Sequence, residues 1–229
     1  LGDIDWTPFT LEHQLWHIGE NNRKADGFNC SDRPRAYEAW QWQPASLEYR
    51  IGESDPATDW YNAQTKNGKW TVKFDLDRQY EGDAVLTASI AGVSNSPKIQ
   101  VAVNGKNKET WSLTDDGSIR RSATLAGRHL VKSVKFDASD LKIGENEITL
   151  TASNCKDKSG VLWDCIKLEA GNIVTEAAVD EITDDSYGLP ISVYTVSGVL
   201  VGTFESYPTM LPAGVYILRQ GATAKKVKF

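Results

Sequence analysis

Trp40, Trp42, Trp60 and Tyr61 fall within one stretch of chain that also carries Arg33, Arg35, Gln41, Gln43, Asp59 and Gln64. An exposed Trp or Tyr ring can stack on the apolar C–H face of a pyranose, while amides, carboxylates and guanidinium groups bind the hydroxyls at its edge. Arginine also meets a uronate carboxylate in bidentate fashion. These residue types point to sugar contact, and the candidate carbohydrate-binding residues are Trp40, Trp42, Trp60, Tyr61, Arg33, Arg35 and Gln64. Each ring has a competing reading as a side chain packed over the core, because Trp is highly buried on average. For Arg23, Lys24, Arg33, Arg35 and Lys66 the competing reading is a solvated face.

Other chemistries are less well supplied. Glycoside hydrolysis needs two carboxyl groups about 5–9 Å apart, one of them kept protonated by burial. The acidic residues here lie in turns, such as Asp115-Asp116 and Asp184-Asp185, or on strand edges, and no pair is singled out. His13 and His17 have the spacing of helical metal ligands, but they do not form His-Glu-x-x-His and no third ligand is evident. Cys155 and Cys165 flank an excursion between consecutive strands and can bridge it, leaving Cys30 free; reduced, buried thiols are the equal alternative.

The net charge of −6 argues against nucleic acid as a partner, since phosphate backbones attract clustered Lys and Arg. No run approaches the roughly 18 apolar residues of a membrane-spanning helix. The first residues, Leu1-Gly2-Asp3-Ile4, show no initiator Met and no basic or apolar leader, and the expectation is a mature or trimmed part of something longer.

The elements that must position these residues are strands. Residues 1–67 show little periodicity and read as a long loop-rich region. From Trp70 onward the period is two: Trp70, Val72, Phe74 and Leu76 share a face, as do Leu86, Ala88 and Ile90, then Ile99, Val101 and Val103. Asn104-Gly105 and Asp116-Gly117 read as hairpin turns, because both dipeptides tolerate positive φ. Further strands follow at 130–136, 147–151 and 161–168. Short strands at this spacing predict a β-sandwich or barrel, with a jelly-roll-like sandwich expected over residues 1–170. The Ala-, Thr-, Asp- and Glu-rich stretch 171–189 reads as a linker, and 190–229 as a small unit of four short strands, at 191–196, 199–204, 214–218 and 225–229.

Two resemblances extend this reading. Trp16-His17-Ile18-Gly19 with Arg23 and Phe28 resembles the opening of the last domain of polysaccharide lyase family 4, the rhamnogalacturonan endolyases. Ile51-Gly52-Glu53-Ser54-Asp55, Asp59-Trp60-Tyr61-Asn62-Ala63-Gln64 and Trp70-Thr71-Val72-Lys73-Phe74-Asp75-Leu76 continue it in order. So do Val103-Asn104-Gly105, Gly144-Glu145-Asn146-Glu147-Ile148-Thr149-Leu150-Thr151 and Gly160-Val161-Leu162-Trp163-Asp164-Cys165-Ile166-Lys167-Leu168-Glu169. Cys165 stands where the family tends to carry an aromatic, and Asn22-Arg23 where Asp-Arg is usual. The resemblance implies a jelly-roll (galactose-binding-like) sandwich similar to carbohydrate-binding modules. It places the lyase's catalytic Lys and His in a separate domain that no residue here matches. A structural Ca²⁺ recurs in such sandwiches, and Asp164 at the start of the last strand is the candidate ligand. The second resemblance is in the tail. Val193-Tyr194-Thr195-Val196-Ser197-Gly198, then Leu211-Pro212-Ala213-Gly214-Val215-Tyr216-Ile217-Leu218, resembles the C-terminal sorting domain of Bacteroidetes proteins exported by the type IX route, a small β-sandwich or Ig-like module.

The expectation is therefore an all-β, exported bacterial protein, secreted or at the cell surface. It carries no reaction of its own and no cofactor beyond that candidate Ca²⁺. It holds a pectic poly- or oligosaccharide, with a catalytic lyase domain as a further partner. An autonomous glycan-active enzyme and a spacer packed on a catalytic domain are the alternatives.

Overall fold

The computed structural model describes residues 11–33, 38, 41–123, 125–156, 158–174, 189–221 and 223–229. The chain divides into two compact units, Leu1–Val174 and Thr175–Phe229.

The larger unit is built from strands β1 (His13–Gly19), β2 (Leu47–Arg50), β3 (Ala63–Gln64), β4 (Gly68–Leu76), β5 (Tyr80–Ser94), β6 (Lys98–Val103), β7 (Lys106–Ser112), β8 (Leu130–Asp137), β9 (Gly144–Ser153) and β10 (Gly160–Ile173). One sheet runs β1-β10-β5-β8 with β3 added beside β10, and the other runs β2-β4-β9-β6-β7. The successive strands β7 to β10 alternate between the sheets, which gives the sandwich its jelly-roll connectivity. Pairing is antiparallel throughout except for β2 beside β4.

Period-two burial explains why the layers adhere. Trp70, Val72 and Phe74 of β4 face Leu86, Ala88 and Ile90 of β5 and Ile166, Leu168 and Ala170 of β10 within one buried cluster. Leu76 is only partly buried at its edge. The outer face of the first sheet is also partly roofed. Ala91 of β5 and Leu162 of β10 pack with Ala63, with Ala25 from the loop after β1 and with Ile119 from a short 3₁₀ turn. This second layer of burial is why β5 and β10 read as near-continuous apolar runs.

Asn104 and Gly105, with φ of 47° and 76°, form the tight hairpin between β6 and β7 that their types predict. Asp116-Gly117 is different: it makes no hairpin. Asp116 Oδ2 accepts from the backbone N–H groups of Val93 (3.1 Å) and Arg128 (2.7 Å), and Asp115 Oδ1 accepts from those of Asn95 (3.0 Å) and Gly117 (2.8 Å). The carboxylates tie a crossing loop to the end of β5, so the turn residues serve a loop with no returning strand.

The smaller unit contains β11 (Ile191–Thr195), β12 (Leu200–Phe204), β13 (Val215–Gln220) and β14 (Thr223–Lys228) in one antiparallel sheet ordered β12-β11-β13-β14. Among the described residues this segment forms one four-stranded layer. Ile191, Val193 and Leu218 are its buried apolar side chains, with Phe204, Tyr216, Val227 and Phe229 packed around them.

Candidate functional site

Three loops converge at one end of the sandwich. Asn29 and Tyr61 form an isolated parallel bridge, in which Asn29 N–H donates to the Trp60 carbonyl (2.9 Å) and Asn62 N–H to the Asn29 carbonyl (3.1 Å). Asn29 Nδ2 also donates to the Thr58 carbonyl (2.7 Å). The third loop joins through Gln43, whose Nε2 donates to Asn62 Oδ1 at 2.8 Å. These bonds bring Arg33, Trp42 and Tyr61 onto neighbouring loops. Arg33 is exposed and its guanidinium carbon lies 5.3 Å from the centre of the half-buried Trp42 ring, a cation–π arrangement. Tyr61 is half-buried beside the bridge.

The remaining candidates separate. Trp60 is fully buried, edge-on to Trp70 (5.0 Å), Tyr49 (5.8 Å) and Trp163 (6.3 Å). It offers no face to a sugar. Gln64 is buried too; its Nε2 donates to the Leu150 carbonyl at 3.1 Å, fastening β3 across to β9. Both expectations are corrected by the same cause: the alternation Trp60-in, Tyr61-out runs straight into β3, so the loop residues are already committed to the core. Trp40 and Arg35 lie outside the described residues.

A cleft of about 530 Å³ adjoins these loops, lined by His17, Glu20, Asn22, Asp26, Asp55 and Pro56 among others. Sequence reasoning missed it. Its one legible sign was Ser54-Asp55 before Pro56, since Asp55 caps the four-residue helix Pro56–Asp59 by accepting from Ala57 N–H at 2.8 Å. Tyr49 fixes the same loop by donating to the Ser54 carbonyl (3.0 Å). Burial, with Asp55 and Asp59 nearby, pushes the Tyr49 phenol up to about 12, so it remains a neutral donor at any physiological pH.

Asp164 controls the other wall of the cleft. It is fully buried, its Oδ1 accepts the backbone N–H groups of Asn22 (3.2 Å) and Lys24 (3.3 Å), and its Oδ2 accepts the Ser89 hydroxyl. Ser89 Oγ in turn lies 2.8 Å from His129 Nε2. Because the Ser89 proton goes to the carboxylate, His129 must donate from Nε2. Burial holds the His129 imidazole below its usual range, with Asp164 opposing and Arg23 adding to that effect. A calcium ion needs oxygen ligands on every side, whereas Asp164 is ringed by donors, so these residues do not fit the cation. Among the described residues no group of three His, Cys, Asp or Glu side chains is placed to hold a metal. His13 and His17 lie on β1 rather than a helix, where His13 sits against the Tyr80 ring (5.9 Å) and His17 Nδ1 meets Gln14 Nε2 (3.2 Å).

Asp164→Asn is expected to cost about 2 kcal/mol, because an amide would turn one donor toward donors. Hydrogen exchange at the Asn22 and Lys24 amides checks this. Exchange should quicken by at least about tenfold, and unaltered protection there would refute the anchoring role.

All three cysteines are free, so the Cys155–Cys165 bridge that their spacing allowed does not form. Burial pushes the Cys155 thiol up to about 11 and, with Asp164 adding, the Cys165 thiol up to about 12, leaving neither a nucleophile near neutral pH.

Residues 14–168 match the family model described as CBM-like, polysaccharide lyase family 4, domain III. The chain belongs to that family. This polysaccharide lyase family 4 domain III is 38% identical over 160 residues to a rhamnogalacturonate lyase of Dickeya dadantii, an alignment covering 66% of this chain and 27% of that protein. The chain thus spans about a quarter of that relative's length. Among solved structures, domain III matches a family 35 carbohydrate-binding module of Cellvibrio japonicus Abf62 at 18% identity and a TM-score of 0.37, covering 69% of this chain and 94% of that one. A family 35 module from an environmental isolate matches at 15% identity and 0.36, covering 71% and 98%.

Proposed function

We propose that this chain is a non-catalytic carbohydrate-binding module that holds pectic, rhamnogalacturonan-type polysaccharide for a lyase catalytic domain. The observation that carries the reading is the Arg33–Trp42 pair, held on loops laced together by the Asn29–Tyr61 bridge and the Gln43–Asn62 bond. A half-exposed indole supplies a stacking surface and the guanidinium beside it a partner for a uronate carboxylate, the two contacts that an acidic sugar chain requires. Tyr61 extends the same face. Membership of domain III and the identity to a rhamnogalacturonate lyase support a pectic ligand and a catalytic partner. Export to the cell surface, with residues 190–229 as the sorting tail, belongs to the same proposal and rests on the sequence of the tail.

Calorimetric titration with rhamnogalacturonan oligosaccharides tests it. Binding in the micromolar to millimolar range is expected, and Trp42→Ala is expected to weaken it about tenfold or more, the loss of one stacked ring. Absence of heat at millimolar ligand sinks the binding reading. Release of unsaturated product, followed by absorbance, sinks the non-catalytic one.

A further inference from the structure

Among the described residues the sheet of the smaller unit has two edges, β12 and β14, and their chemistry differs. β14 carries Lys225 and Lys228 along its length, the charged guard by which sheets avoid pairing with one another. β12 reads Leu200-Val201-Gly202-Thr203-Phe204, with no charge and no proline. Leu200 is 54% exposed and Val201 43%, and the hairpin tip that feeds them presents Val196 at 63% and Val199 at 62%. This exposure is built in. The Thr195 and Val199 backbones close the turn (Thr195 N–H to the Val199 carbonyl, 2.8 Å), Gly198 N–H donates to the Thr195 carbonyl (2.9 Å), and Val199 N–H donates to Thr195 Oγ1 (3.1 Å). Meanwhile, among the described residues, Ile191, Val193 and Leu218 are the sheet's buried apolar side chains, with partly buried rings and aliphatics packed around them. A unit this small gains much from any further apolar burial.

We propose that the chain self-associates through the outer edge of β12, which pairs only with β11 among the described residues, two copies pairing this strand antiparallel about a twofold axis. An uncharged strand is complementary to itself: each copy lays Leu200 and Val201 against apolar or neutral side chains of the other, and no ionised group is desolvated. A charged peptide at the same edge would bury its charges against Leu200 and Val201, and pairing through β14 would bring lysines onto lysines. The extra residue that β12 inserts opposite Val193 and Tyr194 bends the edge and shortens the ladder. The dimer is therefore a weak one that assembles by mass action.

Sedimentation velocity of the whole chain from about 5 to about 500 µM tests this, because a weak dimer forms over such a range. The sedimentation coefficient should rise from monomer to dimer, and amide exchange in residues 200–204 should slow in step. Leu200→Lys and Val201→Lys, both at exposed positions with folding verified by circular dichroism, should each leave a monomer across the range. Lys228→Ser, on the guarded edge, should leave the dimer unchanged. A monomer at every concentration overturns the proposal. So does a dimer indifferent to both lysine variants, or a β12 edge already protected at the lowest concentration, which would mean that another surface covers it.

Discussion

Trp60→Ala is expected to lower the unfolding free energy of the larger unit by about 3–5 kcal/mol, the usual cost of deleting a fully buried aromatic. The reason lies in the number of partners that the ring serves. Its edge-on contacts reach Tyr49 beside β4, Trp70 in β4 and Trp163 in β10, so a single indole bonds both sheets to the loop that carries Tyr61. Rings of this size cannot swing inward to close the hole, because each is itself fully or almost fully buried and packed on other neighbours. At about 2–4 °C per kcal/mol for a domain of this length, thermal denaturation should show the midpoint falling by about 10 °C. If Trp60 were a sugar-stacking residue instead, the variant would melt like the parent and lose ligand, so the two roles are separated by one scan and one titration.

Gly19→Ala is the second large effect. Gly19 ends β1 with φ of +79°, a conformation that an L side chain adopts only at a cost, and a Cβ there would sit 2.3 Å from the Asp164 carbonyl oxygen and 2.4 Å from Phe28 Cζ. The backbone oxygen cannot withdraw, because Asp164 lies in β10, the central strand beside β1. Backbone strain and overpacking together are expected to cost about 4 kcal/mol. The damage should not be uniform. Since the strand end launches the loop that lines the cleft, amide exchange at Asn22 and Lys24 should quicken more than in β4 or β9. Uniform acceleration would show that the loop and the sandwich unfold together.

Much of the sandwich was legible because its signal is local. The alternation of Trp70, Val72 and Phe74, or of Ile99, Val101 and Val103, needs only neighbours two residues apart to be read, and each set lies in the core. Asn104-Gly105 is equally local, since its turn is closed by Val103 pairing with Lys106. Asp116-Gly117 carries the same local signal but is decided from afar, by Val93 and Arg128. The site residues fail for the same reason. Trp42 and Trp60 look alike in a loop-rich segment, and what separates them is Trp163, a hundred residues downstream. Asp164 is ambiguous in sequence because a carboxylate accepts donors and metals alike; the donors it meets here, the backbone N–H groups of Asn22 and Lys24, come from a loop some 140 residues upstream. A chemistry-bearing residue type shows what a side chain can do, and distant partners choose among the options.

The bridge between Asn29 and Tyr61 carries the candidate side chains unequally. Its bonds run through main-chain groups and through Asn29 and Gln43, and the Arg33 side chain leans on the same frame by hydrogen-bonding Cys30, whose thiol donates to Asn29 Oδ1 (3.2 Å). Trp42 and Tyr61 can therefore be exchanged without disturbing the main-chain frame beneath, whereas a change at Arg33 also removes a bond to that frame.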